Sequence, residues 1–220
     1  RPVPLERALR DLRINLVVEG TSEIMRLFIA REAVDLHLQV AGDLVDPGKP
    51  MGKRVAALVR GGLHYAWWYP TRWTGWGWWP RHARYGKLAR HLRYAERASR
   101  RLARAIFHAM LRHGAGLEER QAVLGRLVDV GAELFHMAAV VLEAERRMEA
   151  TPGDRTPEEL ADLFCRQARL RIGDHFRAVG RNEDRAARRV ARGALEGRYA
   201  WLEAGVVLPD PAGAPAGAPA

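Results

Sequence analysis

An all-α fold is what this sequence predicts: a short helical part, a connector, and then an up-and-down helix bundle. Apolar residues recur at spacings of three and four through most of the chain, the period of a helix with one buried face. Glycine and proline gather between these stretches, at Gly42 with Asp46-Pro47-Gly48, at Gly114 and Gly116, and at Thr151-Pro152-Gly153. There they end helices and turn the chain. At 220 residues and 48% hydrophobic content, there is apolar material for one domain or two small ones.

Pro4 to Asp11 reads as one or two helical turns, with Leu5, Ala8 and Leu12 on one side and the proline tolerated near an N-terminus. Ile14, Leu16 and Val18 alternate with Asn15 and Val17, so the chain is expected to be extended or irregular up to Glu19. Thr21 or Ser22 caps a new helix, with Glu23 in its first turn, where a carboxylate suits the helix dipole. Ile24, Leu27, Phe28, Val34, Leu38 and Ala41 follow at helical spacing. Residues 1–42 therefore form a first helical part.

Residues 43–86 read as a connector. Residues 65–80 hold six of the seven tryptophans, interrupted by Pro70, Gly75, Gly77 and Pro80. Such breakers argue against a continuous helix or a central strand, and an ordered loop is expected. Three uses remain open for its rings: a packed hinge with Arg72, Arg81 and Arg84 stacked on them, a patch at a membrane interface, or stacking on nucleic-acid bases.

Residues 87–205 read as a bundle of four helices. Leu88, Leu92, Ala95, Leu102, Ile106 and Met110 form the first apolar stripe, and Val123, Leu127, Val130, Leu134, Met137 and Val141 the second. Glu118 and Glu119 open the second helix. Thr156-Pro157-Glu158-Glu159 has the form of a capping box with proline at the first helical position. Leu160, Leu163, Phe164, Ala168, Ile172 and Phe176 continue that third helix, and Asn182 caps a fourth through Val190, Leu195 and Leu202. Residues 206–220, rich in Ala, Gly and Pro, have nothing to bury and are expected to be disordered.

The formal charge is +10. Between Arg81 and Arg112 about ten Arg or Lys face one acid, Glu96. They fall on several faces of a helix, which reads as a solvated surface packing through its alkyl stems, with attraction to anionic lipid next and no nucleic-acid role. Cys165 is the single cysteine; it excludes an internal disulfide and reads as a buried small side chain. No metal site is expected, since His82, His91, His108 and His113 lack the spacing of a helical ligand pair. The chain starts at Arg1, with no charged leader or apolar core behind it. No signal peptide is therefore expected, an internal cut is the simplest account of the start, and the default location is cytoplasmic, with peripheral membrane contact as an addition.

The residues that bear on chemistry lie between 10 and 26. Glu19 ends an apolar run and stands directly before Gly20, Thr21 and Ser22. A carboxylate there can be partly desolvated and held still, as a general base must be; on spacing alone the stronger reading is a group that only satisfies backbone donors at a helix start. The wider pattern, Arg10-Asp11, Arg13-Ile14, Glu19-Gly20-Thr21-Ser22-Glu23-Ile24, Arg26-Leu27 and Ala30-Arg31-Glu32, resembles the signature of the acyl-CoA dehydrogenases. Residues 92–100 and 121–127 resemble the extra C-terminal bundle of the very-long-chain-like members.

The resemblance implies the end of the catalytic helical domain followed by a second bundle, and an FAD-dependent oxidoreductase acting in fatty-acid β-oxidation. It matches Glu19 to the base that removes the α-proton of an acyl-CoA, and the Glu19 backbone N–H to a donor on the thioester carbonyl. Gly20 permits close backbone approach to the substrate, and Thr21 and Glu23 match flavin-contacting positions. It further implies an electron-transfer flavoprotein as partner, a homo-oligomer, and an inactive chain when the rest of the enzyme is missing. The alternative is a non-catalytic basic helical module for membrane or partner docking, with Glu19 merely structural.

Overall fold

The computed structural model describes residues 4–14, 21–45, 48–74 and 82–202. Among them are seven α-helices and no strand: α1 Leu5–Ile14, α2 Ser22–Val45, α3 Met51–Thr71, α4 Ala89–His113, α5 Gln121–Ala150, α6 Thr156–Gly180 and α7 Asp184–Leu195. The chain divides into two compact units after Arg181. The second contains α7, whose N-cap is Glu183; Asn182, expected to cap it, stands one residue earlier and accepts the Asp184 N–H on its side-chain oxygen at 3.2 Å. At its end, Gly193 leaves the space that the Tyr199 ring fills; a Cβ there would meet the ring at 2.9 Å.

In the first unit, short connections return α5 against α4 and α6 against α5. Gly114, at φ 52° and ψ −136°, ends α4 in a positive-φ conformation that glycine adopts without a Cβ penalty. The α5 stripe is buried as the spacing predicts, with Val130, Met137 and Val141 fully enclosed. It packs against Leu88 and Leu92 on one side and Ala161, Cys165, Ala168, Ile172 and Phe176 on the other. A second cluster joins Ala109, Leu117, Val123 and Leu127, with Val34 of α2 against it.

Of the apolar residues named for α6, Ala168, Ile172 and Phe176 are buried, as is Cys165, whereas Leu160 and Leu163 are 71% and 55% exposed and Ala161 takes a place in the core. The helix carries two apolar stripes. The one with small side chains faces Met137 and Val141, because it lets two long helices approach closely and fill the space between them. Burial raises the Cys165 thiol to about 11, so this cysteine packs as a small apolar side chain and is not a reactive thiolate.

Four further expectations are corrected. Residues 51–71 form a regular helix where a loop was expected. Pro70 is next to last in α3, where a missing N–H and the ring's bulk disturb only the final turn. Gly42 lies inside α2, which continues to Val45. The start of α6 is held by Asp154, which accepts from the Thr156 N–H at 2.9 Å and the Thr156 hydroxyl at 2.7 Å. These bonds hold the Asp154 carboxyl below its ordinary pKa. The capping oxygen is thus supplied two residues earlier than the sequence motif suggests. Finally, α5 begins at Gln121, so Glu118 and Glu119 precede it.

Among the described residues, two amphipathic faces are left uncovered. None of the α1 residues is buried, and Leu5, Leu9 and Leu12 stand in solvent. On α3, Met51, Val55, Leu58, Val59, Leu63 and Trp67 are all exposed. No described helix is long and apolar enough to cross a membrane.

Candidate active-site loop and its anchors

Glu19 and Gly20 lie outside the described residues; Thr21 and Glu23 stand at the start of α2. The Thr21 carbonyl accepts the Met25 N–H at 3.0 Å, and its hydroxyl oxygen accepts the Ile24 N–H at 3.4 Å. Thr21 is therefore the N-cap, as the sequence predicts. The first turn of α2 follows directly on Glu19-Gly20, so those two residues precede the positive end of a helix dipole. The Glu23 side chain is exposed, with an Arg26 nitrogen 3.9 Å from its carboxylate.

Arg26 ties this end of α2 to the bundle. Its Nε–H donates to Asp129 Oδ1 of α5 at 2.8 Å, and both side chains are half-buried. Its stem passes beside Gly125, one turn before Asp129. Behind the pair, α2, α4 and α5 enclose an apolar cleft of about 370 Å³ lined by Ala30, Val34, Ile106, Leu127, Val128 and Phe135 among others.

Further along α2, an aromatic joint fastens the helix to α3 and α4. His37 is buried, shares a 2.8 Å hydrogen bond with the Tyr65 hydroxyl, and meets Trp68 edge-on at 5.2 Å. Tyr65 and Trp68 pack on Phe107 of α4 at 4.7 and 5.7 Å. Burial, with His64 acting in the same direction, holds the His37 imidazole below its ordinary pKa, and burial raises the Tyr65 phenol. The bond therefore joins two neutral groups. Tyr69 shares a 2.9 Å hydrogen bond with His108, and the Arg104 guanidinium lies 3.9 Å over the Trp73 ring.

The packed-hinge use of the tryptophans applies to Trp68, while Trp67 is 79% exposed and Trp73 remains largely exposed. Trp76, Trp78 and Trp79 lie outside the described residues, as do Arg81 and residues 203–220. Arg72 stacks on Trp68 at 5.2 Å. Arg84 lies instead 4.5 Å over Tyr85.

One buried polar contact was not anticipated. His91 of α4 is fully enclosed and donates its Nε2–H to Asp162 Oδ1 of α6 at 2.7 Å. Arg90 and Arg166 bind the same carboxylate. Burial lowers the His91 pKa in spite of that partner, so the contact is made by a neutral ring, whose Nδ1 is enclosed without a hydrogen bond. Burial alone would raise Asp162, but the bonds from His91 and Arg90 outweigh it and hold the carboxyl well below its usual range. The signal was present: His91 falls on the Leu88–Leu92 stripe. The described residues hold no cluster of three or more His, Cys, Asp or Glu suited to a metal ion.

Comparison with known proteins bears on this arrangement. Residues 86–196 match the family described as ACAD9/ACADV, C-terminal domain. The chain is 48% identical over 209 residues to a protein of Mycobacterium tuberculosis (strain ATCC 25618 / H37Rv) named probable acyl-CoA dehydrogenase FadE10; the match covers 94% of this chain and 32% of that protein. It is 28% identical over 194 residues to the human very long-chain specific acyl-CoA dehydrogenase, mitochondrial, covering 80% of this chain and 27% of that protein. The chain thus spans about a third or less of the length of these curated relatives.

Proposed function

As this chain belongs to the acyl-CoA dehydrogenases, through their ACAD9/ACADV C-terminal domain, we propose that it is the base-bearing C-terminal portion of an FAD-dependent enzyme that desaturates acyl-CoA between Cα and Cβ. The observation that carries this reading is the capped start of α2 at Thr21. Glu19 and Gly20 come directly before that capping residue in the sequence, in the signature's order, which supports this reading.

In this mechanism the Glu19 carboxylate takes the α-proton of the thioester. The Glu19 backbone N–H donates to the thioester oxygen as enolate charge develops there, a contact stronger in the transition state than in the ground state. Gly20 lets the backbone come close enough to do so. The end of α2 suits a flavin's hydroxyl-bearing part: the Thr21 oxygen accepts from Ile24, which leaves its O–H free to donate, and the Glu23 carboxylate offers acceptors. Bound FAD supplies the acceptor for the β-hydride. An electron-transfer flavoprotein would be the partner that takes up the electrons, and the working protein would be a homo-oligomer. Anaerobic addition of acyl-CoA to the longer, flavin-loaded protein is expected to bleach the flavin absorbance. A flavin that stays oxidised with acyl chains of every length overturns the reading.

A second role, docking at a membrane surface, is favoured by α3. Its exposed apolar face runs from Met51 to Trp67, and Lys53, Arg54 and Arg60 lie along the same helix. Such a helix lies in the headgroup boundary rather than across the bilayer. Replacing Leu58 and Leu63 together by Asp removes apolar burial of ~1.5–3 kcal/mol per leucine. Binding to phosphatidylglycerol-containing vesicles, read by sedimentation, is expected to fall at least ~10-fold, a change of ~1.4 kcal/mol or more. The melting temperature stays unchanged, because both leucines are exposed. Equal sedimentation of the two proteins removes α3 from the membrane.

A further inference from the structure

The start of α2 has little apolar support. Ile24, Met25 and Phe28 are exposed, and the first enclosed residue of the helix is Ala30. Among the described residues, the first two turns of α2, which follow the base loop in the sequence, are only partly buried, at Ser22, Arg26 and Leu27. The Arg26–Asp129 pair acts at this place. The Arg26 Nε–H meets Asp129 Oδ1 at 2.8 Å, and another Arg26 nitrogen stands 3.9 Å from Glu23. The anchor at the other end is rigid: Val128 and Val130, on either side of Asp129, are both buried in the α5 core.

We infer that Asp129 is a positioning residue for the base loop, acting through Arg26 to set where the first turn of α2 stands relative to the bundle. The inference rests on the function proposed above and extends it: the C-terminal bundle becomes part of the apparatus that orients the base. The pair is half-exposed, so its worth in overall stability is small. Its effect lies in direction. A displacement of about 1 Å in a reacting group costs up to ~10²-fold in rate, far more than the stability of the pair would suggest. With Asp129 neutral, Arg26 keeps Glu23 as its nearby carboxylate among the described residues, and the first turn loses its tie to α5.

The experiment compares the flavin-loaded, longer protein with its Asp129→Asn and Asp129→Glu variants. Anaerobic flavin reduction by acyl-CoA is read as rate per bound flavin. Asp129→Asn is expected to reduce kcat per bound flavin ~10-fold or more, with KM changed less than ~2-fold and the melting temperature nearly unchanged. Asp129→Glu, which retains the charge, recovers part of the loss. A rate per bound flavin that is unchanged in Asp129→Asn overturns the inference, whatever happens to stability or flavin content. If Asp129→Asn yields no folded protein, Asp129→Glu decides alone: its displaced carboxylate lowers kcat per bound flavin if the inference holds and leaves it unchanged if not. The parent protein separates the two levels. A parent that fails to bleach defeats the dehydrogenase reading, whereas a parent and variants that bleach equally defeat only the role of Asp129.

Discussion

Replacing Glu19 by Gln in the longer, flavin-loaded protein is expected to slow flavin reduction by acyl-CoA by ~10²–10⁴-fold, the range for loss of a general base. Glutamine keeps the shape of the side chain and its backbone N–H, so acyl-CoA still binds and the thioester oxygen still has its donor. What is lost is a group able to accept the α-proton at neutral pH. Flavin content should be unchanged, since the proposed flavin contacts are Thr21 and Glu23. Anaerobic stopped-flow absorbance measures both quantities in one sample. Near-normal reduction in Glu19→Gln would move the base elsewhere and leave Glu19 as a capping carboxylate, while loss of bound flavin would place Glu19 in cofactor binding instead.

The largest expected effect on stability is at Ile172. This side chain is fully enclosed between α5 and α6, in the cluster with Met137, Val141 and Cys165. Truncation to Ala removes apolar contacts from all of them and leaves a cavity that two packed helices close only in part. A loss of ~2–5 kcal/mol follows, a large fraction of the stability of an ordinary domain. Leu170→Ala on the same helix is the control. Leu170 is exposed, so its truncation should change stability by less than ~0.5 kcal/mol. Urea unfolding of this chain separates the two. Equal shifts of the midpoint would mean that the leucine stripe Leu160, Leu163 and Leu170 is the buried one and that α6 is rotated about its axis.

Rotation of that kind is what the sequence left open. Composition and spacing were enough for the all-α class, for the full α5 stripe and for the cap at Thr21, because a 3.6-residue period and a capping side chain are local properties. They were enough, too, for the order of residues around Glu19 that resembles the family signature. On α6 they grouped the buried Ala168, Ile172 and Phe176 with Leu160 and Leu163, which belong to a second, exposed stripe. Which stripe is buried depends on how closely α5 can approach, and the small side chains of Ala161, Cys165 and Ala168 permit an approach that Leu160 and Leu163 would block. The helix at residues 51–71 was hidden for a related reason: Pro70 reads as a breaker at any position, and only its place in the last turn makes it harmless. The pairs His91–Asp162 and Arg26–Asp129 span 71 and 103 residues. Nothing in either local sequence names the other partner. Local chemistry, then, determined the elements and the order of the residues around Glu19; tertiary packing decided which faces are buried and which distant side chains meet, because those depend on the distance between helices.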